Sequence, residues 1–168
     1  DPVQAKLVKE MLIGFKNSGL ELNDEDLEKF KALNKEKAEY IIKFDKNIQE
    51  YKDPLAVTRE QLKGLGEDYI EKLEKTDDGK YLVTLDYPDY VPFMLNADDE
   101  EARKALEFKY NRRGGEENVA LLEKTLRLRQ QIAQLLGYQN HAQMKLEDRM
   151  AKDPKTVMKF LKNLQKKL

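Results

Sequence analysis

Residues 22–50 read LNDEDLEKFKALNKEKAEYIIKFDKNIQE, and they commit the chain to helix. Asn23 is placed to cap the backbone amides of a new helix. Asp24, Glu25 and Asp26 put negative charge in its first turn, and Leu22 can staple against Leu27. Leu27, Phe30, Leu33, Ala38, Ile41, Phe44, Ile48 and Tyr51 then mark one broad apolar stripe, with no Gly or Pro before Pro54. The pattern predicts a helix of about 28 residues, roughly 42 Å long. Such a rod outreaches a compact domain of this size, so one end is expected to project or to pack against further chain.

Upstream, Val3, Leu7, Val8, Met11, Leu12 and Phe15 recur at helical spacing, and Gly19 stands where a C-terminal cap is expected. Downstream, Thr58–Gln61 (TREQ) is a capping box opening a short helix that Gly64 and Gly66 interrupt. The strand candidates are Leu55–Val57 and Tyr81–Leu85, the second following the turn sequence TDDG. A two-stranded ribbon is marginal alone and is expected to rest on helices. YPDYVPFML (87–95) mixes two prolines with aromatics, and ADDEEARKALEFKY (97–110) settles into helical spacing before the loop NRRGGEEN.

A helix from Glu117 to Leu136 carries Val119, Leu122, Leu126, Ala133 and Leu136 on one side. Leu121, Leu128, Ile132 and Leu135 widen that face enough for burial on two sides, and Gly137 ends it. A further helix is expected over about Asn140–Met150. In the last one, Asp153 caps, Pro154 takes the first helical position, and Val157, Phe160, Leu161 and Leu164 follow. The fold class is mainly α: a single multi-helix domain over residues 1–168, with long antiparallel helices and a small two-stranded β ribbon.

Composition narrows the function. The 168 residues carry 31 Lys plus Arg against 32 Asp plus Glu, so the balance of −1 gives no long-range pull toward nucleic acid or an anionic membrane, and neither is expected as a partner. The six lysines of Lys152–Leu168 read as a solvated helix end rather than a nucleic-acid tail. With no cysteine there is no disulfide framework and no thiolate ligand or nucleophile. No apolar run approaches the roughly 20 residues that span a bilayer, and the expected location is cytoplasmic. The start at Asp1 and Pro2, without Met, suggests a mature or excised beginning.

His141 is the sole histidine. A zinc helix needs two histidines one turn apart, so His141 could reach a metal only with carboxylates such as Glu147 and Asp148, which do not share its face well. The alternative is a capping or packing role near a helix start, with both ring nitrogens hydrogen-bonded. The acidic clusters at Asp24–Asp26, Asp98–Glu101 and Glu116–Glu117 each fall at a helix start, where negative charge is favourable without any ligand. Gly114 and Gly115 beside Arg112 and Arg113 lack the pattern of a nucleotide loop. Ser18 has only His141 as a possible base for a serine triad. Tyr87, Tyr90 and Phe93 are open to core packing or to a peptide-binding surface. The expected site list is empty: no catalytic, cofactor-binding or metal-ligating residue in this segment.

The order of these stretches resembles the N-terminal part of the thimet oligopeptidase (M3) family of zinc metallopeptidases. The resemblance runs over nearly the whole chain and is most specific at Thr58–Leu62, Leu85–Pro92 and LLGYQNHAQMKLEDRMAK (135–152). It implies that 135–152 is a structural helix pair and that the family's HExxH helix and third zinc ligand lie outside this sequence. It further implies a helical wall of a channel admitting short peptides to a buried zinc in the full-length enzyme, with the remainder of that enzyme as partner. On this reading the segment holds no cofactor and the isolated chain is inactive. A stand-alone helical interaction module, and an independent histidine–carboxylate metal enzyme, are the competing readings.

Overall fold

The computed structural model describes residues 1–168. Its helices are α1 (Pro2–Asn17), α2 (Asp24–Gln49), α3 (Glu67–Ile70), α4 (Tyr87–Asn96), α5 (Glu100–Asn111), α6 (Gly115–Leu135), α7 (His141–Leu146) and α8 (Pro154–Gln165). A 3-10 turn covers Glu60–Leu62, and three short strands, β1 (Leu55–Val57), β2 (Glu74–Lys75) and β3 (Tyr81–Val83), complete the set. The mainly α class holds. The chain divides into two compact units, residues 1–43 with 119–168, and residues 44–118.

In the first unit the capping residues act as their chemistry dictates. Asn23 Oδ1 accepts from the Asp26 amide at 2.9 Å, and Asp153 Oδ1 accepts from the Thr156 amide at 3.0 Å. The core is Ile132, Ala133, Leu136, Tyr138 and Met144, with Leu22, Phe30 and Leu33 packed against it. Farther along the same helices the Lys124 ammonium lies 5.4 Å from the Tyr40 ring centre. As α2 ascends from Phe30 to Tyr40, α6 descends from Leu136 to Lys124, so the two run antiparallel. The expected two-sided burial of α6 is not realised. Leu121, Leu128, Ile132 and Leu136 are buried, while Val119, Leu122 and Leu126 on the other side stay exposed. The apolar faces of α1 and α8 are likewise uncovered, with Val3 74% and Phe160 66% exposed.

The second unit is built on the ribbon, which has three strands rather than two, in the antiparallel order β1-β3-β2. Leu55 pairs with Val83 and Val57 with Tyr81, while Glu74 pairs with Leu82 across the TDDG turn. That turn closes through the Gly79 amide donating to the Thr76 carbonyl at 2.9 Å. The capping box is reciprocal: the Thr58 amide donates to Gln61 Oε1 at 3.0 Å, and the Gln61 amide to Thr58 Oγ1 at 3.4 Å. Helix α4 forms despite Pro92 inside it. Pro88 sits in its first turn, where a missing amide costs nothing, and Pro92 deprives only the Pro88 carbonyl of a donor. Phe93, fully buried, then anchors a core of Val57, Leu62, Ile70, Val83, Leu85 and Leu106.

Two loops need glycine. A Cβ on Gly64 (φ +94) would lie 2.1 Å from the Asn96 carbonyl oxygen, beside the bond in which the Asp98 amide donates to the Lys63 carbonyl at 2.8 Å. A Cβ on Gly114 (φ +83) would lie 2.2 Å from Asn118 Nδ2. The space Gly114 leaves is filled by the Asn118 amide. This buried amide donates to the Phe44 carbonyl at 3.0 Å and accepts from Asn47 Nδ2 at 2.8 Å.

Candidate functional site

The residues singled out by sequence scatter. His141 is the first residue of α7, but the cap is Asn140, whose Oδ1 accepts from the Gln143 amide at 2.9 Å. His141 is half-buried, and its Nδ1 has no hydrogen-bond partner, contrary to the expectation that both ring nitrogens are bonded. It lines a cavity of about 160 Å³ together with Asn17, Asn34, Lys37, Arg129 and Lys145. Burial, then the charges of Arg129, Lys145 and Lys37, hold the imidazole below its ordinary value of 6.5.

The carboxylates that a metal at His141 would need are engaged elsewhere. Glu147 accepts from the Tyr138 hydroxyl, which burial and that contact push up, and Asp148 pairs with Arg149 at 3.3 Å. No group of three or more His, Asp or Glu side chains gathers in the chain. The zinc implied by the resemblance therefore does not fit here: the one imidazole faces three cations, and a divalent cation would be repelled by all of them.

The acidic clusters sit at helix starts. Glu25 and Asp26 pair with Lys29 on α2 at 2.7 and 3.6 Å, and Asp99 caps α5 by accepting from the Ala102 amide at 2.9 Å. Glu116 and Glu117 occupy the first turn of α6. Gly114 makes room for Asn118 rather than for a phosphate. Ser18 Oγ donates to the Phe15 carbonyl at 2.8 Å and is the C-cap of α1. The aromatic trio divides: Phe93 is core, Tyr87 is exposed, and Tyr90 stacks on Tyr110 at 3.8 Å between centres and 18° between planes. Arg113 lies 3.7 Å over the Tyr110 ring.

A groove of about 580 Å³ that the sequence did not flag lies in the second unit. Asp53 pairs with Lys109 at its base, and Arg112 stands 4.1 Å over the exposed Phe108 ring. The sole sequence signal was the four-residue spacing of Lys104, Phe108 and Arg112, the last of them the C-cap of α5.

Comparison with known proteins supplies the context for this geometry. Residues 93–168 match the family model described as peptidase family M3. That match covers the C-terminal part of the chain, and over its whole length the chain is similar to oligopeptidases. It is 36% identical over 167 residues to a thimet-like oligopeptidase of Dictyostelium discoideum, covering 98% of this chain and 25% of that relative. It is 37% identical over 169 residues to saccharolysin of Saccharomyces cerevisiae, covering 97% of the chain and 24% of the relative. Oligopeptidase A of Escherichia coli is 28% identical over 179 residues, with 98% and 26% covered. The chain thus spans about a quarter of the length of the curated relatives it matches. No helix of the chain is long and apolar enough to cross a membrane.

Proposed function

We propose that residues 1–168 form one helical, noncatalytic domain of a cytoplasmic zinc-dependent oligopeptidase, contributing part of the wall of the channel through which short peptides reach the metal. The remainder of the peptidase chain is its partner, and specificity for short peptides follows from exclusion rather than from a contact made here. One observation carries the reading. A segment with the span of a quarter of its relatives leaves apolar faces on α1, α6 and α8 uncovered: Val3, Leu7 and Met11; Val119, Leu122 and Leu126; Phe160, Leu161 and Leu164. Exposed apolar surface on this scale marks a contact, and in the longer protein the other three quarters supply it.

The test is Phe160→Asp made twice. In the isolated chain the side chain is exposed, and the change shifts stability by no more than about 0.5 kcal/mol. In a full-length peptidase carrying the segment, a carboxylate placed in a covered apolar contact lowers the unfolding midpoint and the rate of peptide cleavage together. Equal, near-neutral effects in both would refute the domain's role as a packed wall. Chelator-sensitive cleavage of a short peptide by the isolated chain would refute its being noncatalytic.

A further inference from the structure

We propose that the cavity between α2, α6 and α7 in the first unit is an oxyanion site, holding one phosphate-sized anion or one carboxylate against Lys37, Arg129 and Lys145. The three cations come from three helices, and no Asp or Glu lines the cavity. Lys37 donates to Asn34 Oδ1 at 2.7 Å, and none of the three is in an ion pair with a carboxylate. Elsewhere on the surface lysines and arginines pair readily, as Lys29 does with Glu25 and Lys31 with Glu28, both at 2.7 Å. Three converging unpaired cations with no counter-charge are unfavourable for folding alone, and an anion removes that repulsion.

A second observation is independent of charge. The chain has two buried side-chain polar atoms without a partner, Asn17 Oδ1 and His141 Nδ1, and both residues line this cavity. Buried polar atoms are nearly always bonded, so two orphans in one pocket indicate a missing partner. Both atoms are themselves closed off from solvent, so an anion engages these side chains only as they turn toward the cavity: a half-turn of the Asn17 amide presents its NH2 group, and a protonated, reoriented imidazole presents an N–H. Charge-assisted bonds from Arg129 and the lysines complete the shell. Size sets the class of ligand. About 160 Å³ is below the roughly 300–1,000 Å³ of pockets that take drug-sized molecules, so a single small oxyanion fits and a nucleotide does not.

Proton uptake is coupled to this binding. The titratable groups facing His141 are Lys37 on α2, Arg129 on α6 and Lys145 on its own α7, all cationic, while α1 brings only the neutral Asn17. They and burial disfavour imidazolium in the empty cavity. An anion reverses the sign of the local field, so binding tightens as the pH falls through the imidazole range.

The chain has one histidine, so its ring resonances report the site directly. Inorganic phosphate is titrated into the chain at constant ionic strength, with chloride as the balancing anion. The expected result is a saturable shift of the His141 resonances and an upward move of their titration midpoint. Binding is roughly tenfold or more weaker in Arg129→Gln, the loss of one charge-assisted bond. Lys145→Gln removes an exposed cation, leaves the helical signal unchanged and weakens binding in the same direction. The source of the anion is read in a full-length protein carrying the segment, with the His141 resonance assigned by its loss in His141→Gln. The same phosphate response there identifies a free ion. A high titration midpoint that phosphate does not move identifies a carboxylate of the protein itself. No saturable shift in the chain, an equal shift with chloride alone, or wild-type phosphate binding in both variants would overturn the proposal.

Discussion

Replacing Gly114 by alanine isolates a single packing event. Gly114 and Gly79 share almost the same φ, +83 and +79, but differ in what a methyl group would meet. At Gly79 there is nothing within 4 Å. The left-handed conformation costs an alanine about 1–2 kcal/mol, partly offset by about 0.4–1 kcal/mol from the stiffer unfolded chain. Gly79→Ala should therefore destabilise by roughly 1 kcal/mol. At Gly114 the same backbone cost applies, and in addition the Asn118 amide must move from a contact of 2.2 Å. Its bonds to Phe44 and Asn47 are then lost inside a buried site, at about 1–3 kcal/mol each. The expected total is about 3–5 kcal/mol, read as a shift in the urea midpoint followed by helical circular dichroism at unchanged slope. Asn118→Ala alone removes the amide. In that background only the residue 118 Cβ, 3.1 Å away, still crowds the added methyl, so the extra cost of Gly114→Ala should fall toward the Gly79→Ala level. A cycle showing no coupling between Gly114 and Asn118, or a Gly114→Ala no worse than Gly79→Ala, would refute the reasoning.

Phe93→Ala empties the centre of the second unit's core, where Phe93 is fully buried, and should cost about 3–5 kcal/mol in the same urea assay. Its exposed neighbour Leu95 should tolerate alanine with almost no change. The N-cap of α8 supplies an acid-side signal. Bonds from the Thr156 amide and hydroxyl hold the Asp153 carboxyl below its ordinary 3.8. The folded state thus favours the carboxylate, and the contribution is present above 3.8 and is lost as the pH falls through the lowered folded-state value. Helical signal from α8 in Asp153→Asn, which keeps an acceptor but not the charge, should lose this acid dependence.

The long elements were legible because several independent signals agreed along one stretch. Asn23, the acidic turn and an unbroken stripe name α2, and Asp153 with Pro154 names α8. Where signals conflicted the reading stopped. The two prolines left 87–95 without an assigned element, yet the missing amide of Pro92 falls in the second turn of α4, with Phe93 buried immediately beside it. Strand β2 is two charged residues, Glu74 and Lys75, and exists only because Lys80 closes the turn: Thr76 donates its amide to the Lys80 carbonyl at 2.8 Å, and β3 supplies the ladder. On α6 the period located the apolar residues correctly but not their cover. Leu121 and Leu128 are buried within the chain, whereas Val119, Leu122 and Leu126 stay about half exposed. Hydrophobic spacing reports that a surface needs burying, and that is equally true of a surface whose partner lies in another part of a longer protein.

The charged cavity was illegible for a different reason. Lys37, Arg129 and Lys145 stand in three separate segments, and each, read along its own helix, is an ordinary solvated cation. The chain's balance of −1 is a sum over the whole surface. Screening in salt limits the reach of exposed charges to about 8 Å at physiological ionic strength, so the global sum carries no information about a pocket of that size. What matters there is the local count: three cations, no carboxylate, one imidazole. That count exists only after α2, α6 and α7 have packed. It also explains why the sole histidine misleads a search for metals. The field that excludes a divalent cation from His141 is the field that would bring an anion to it, so the same side chain gives opposite answers depending on whether its neighbours in space are known.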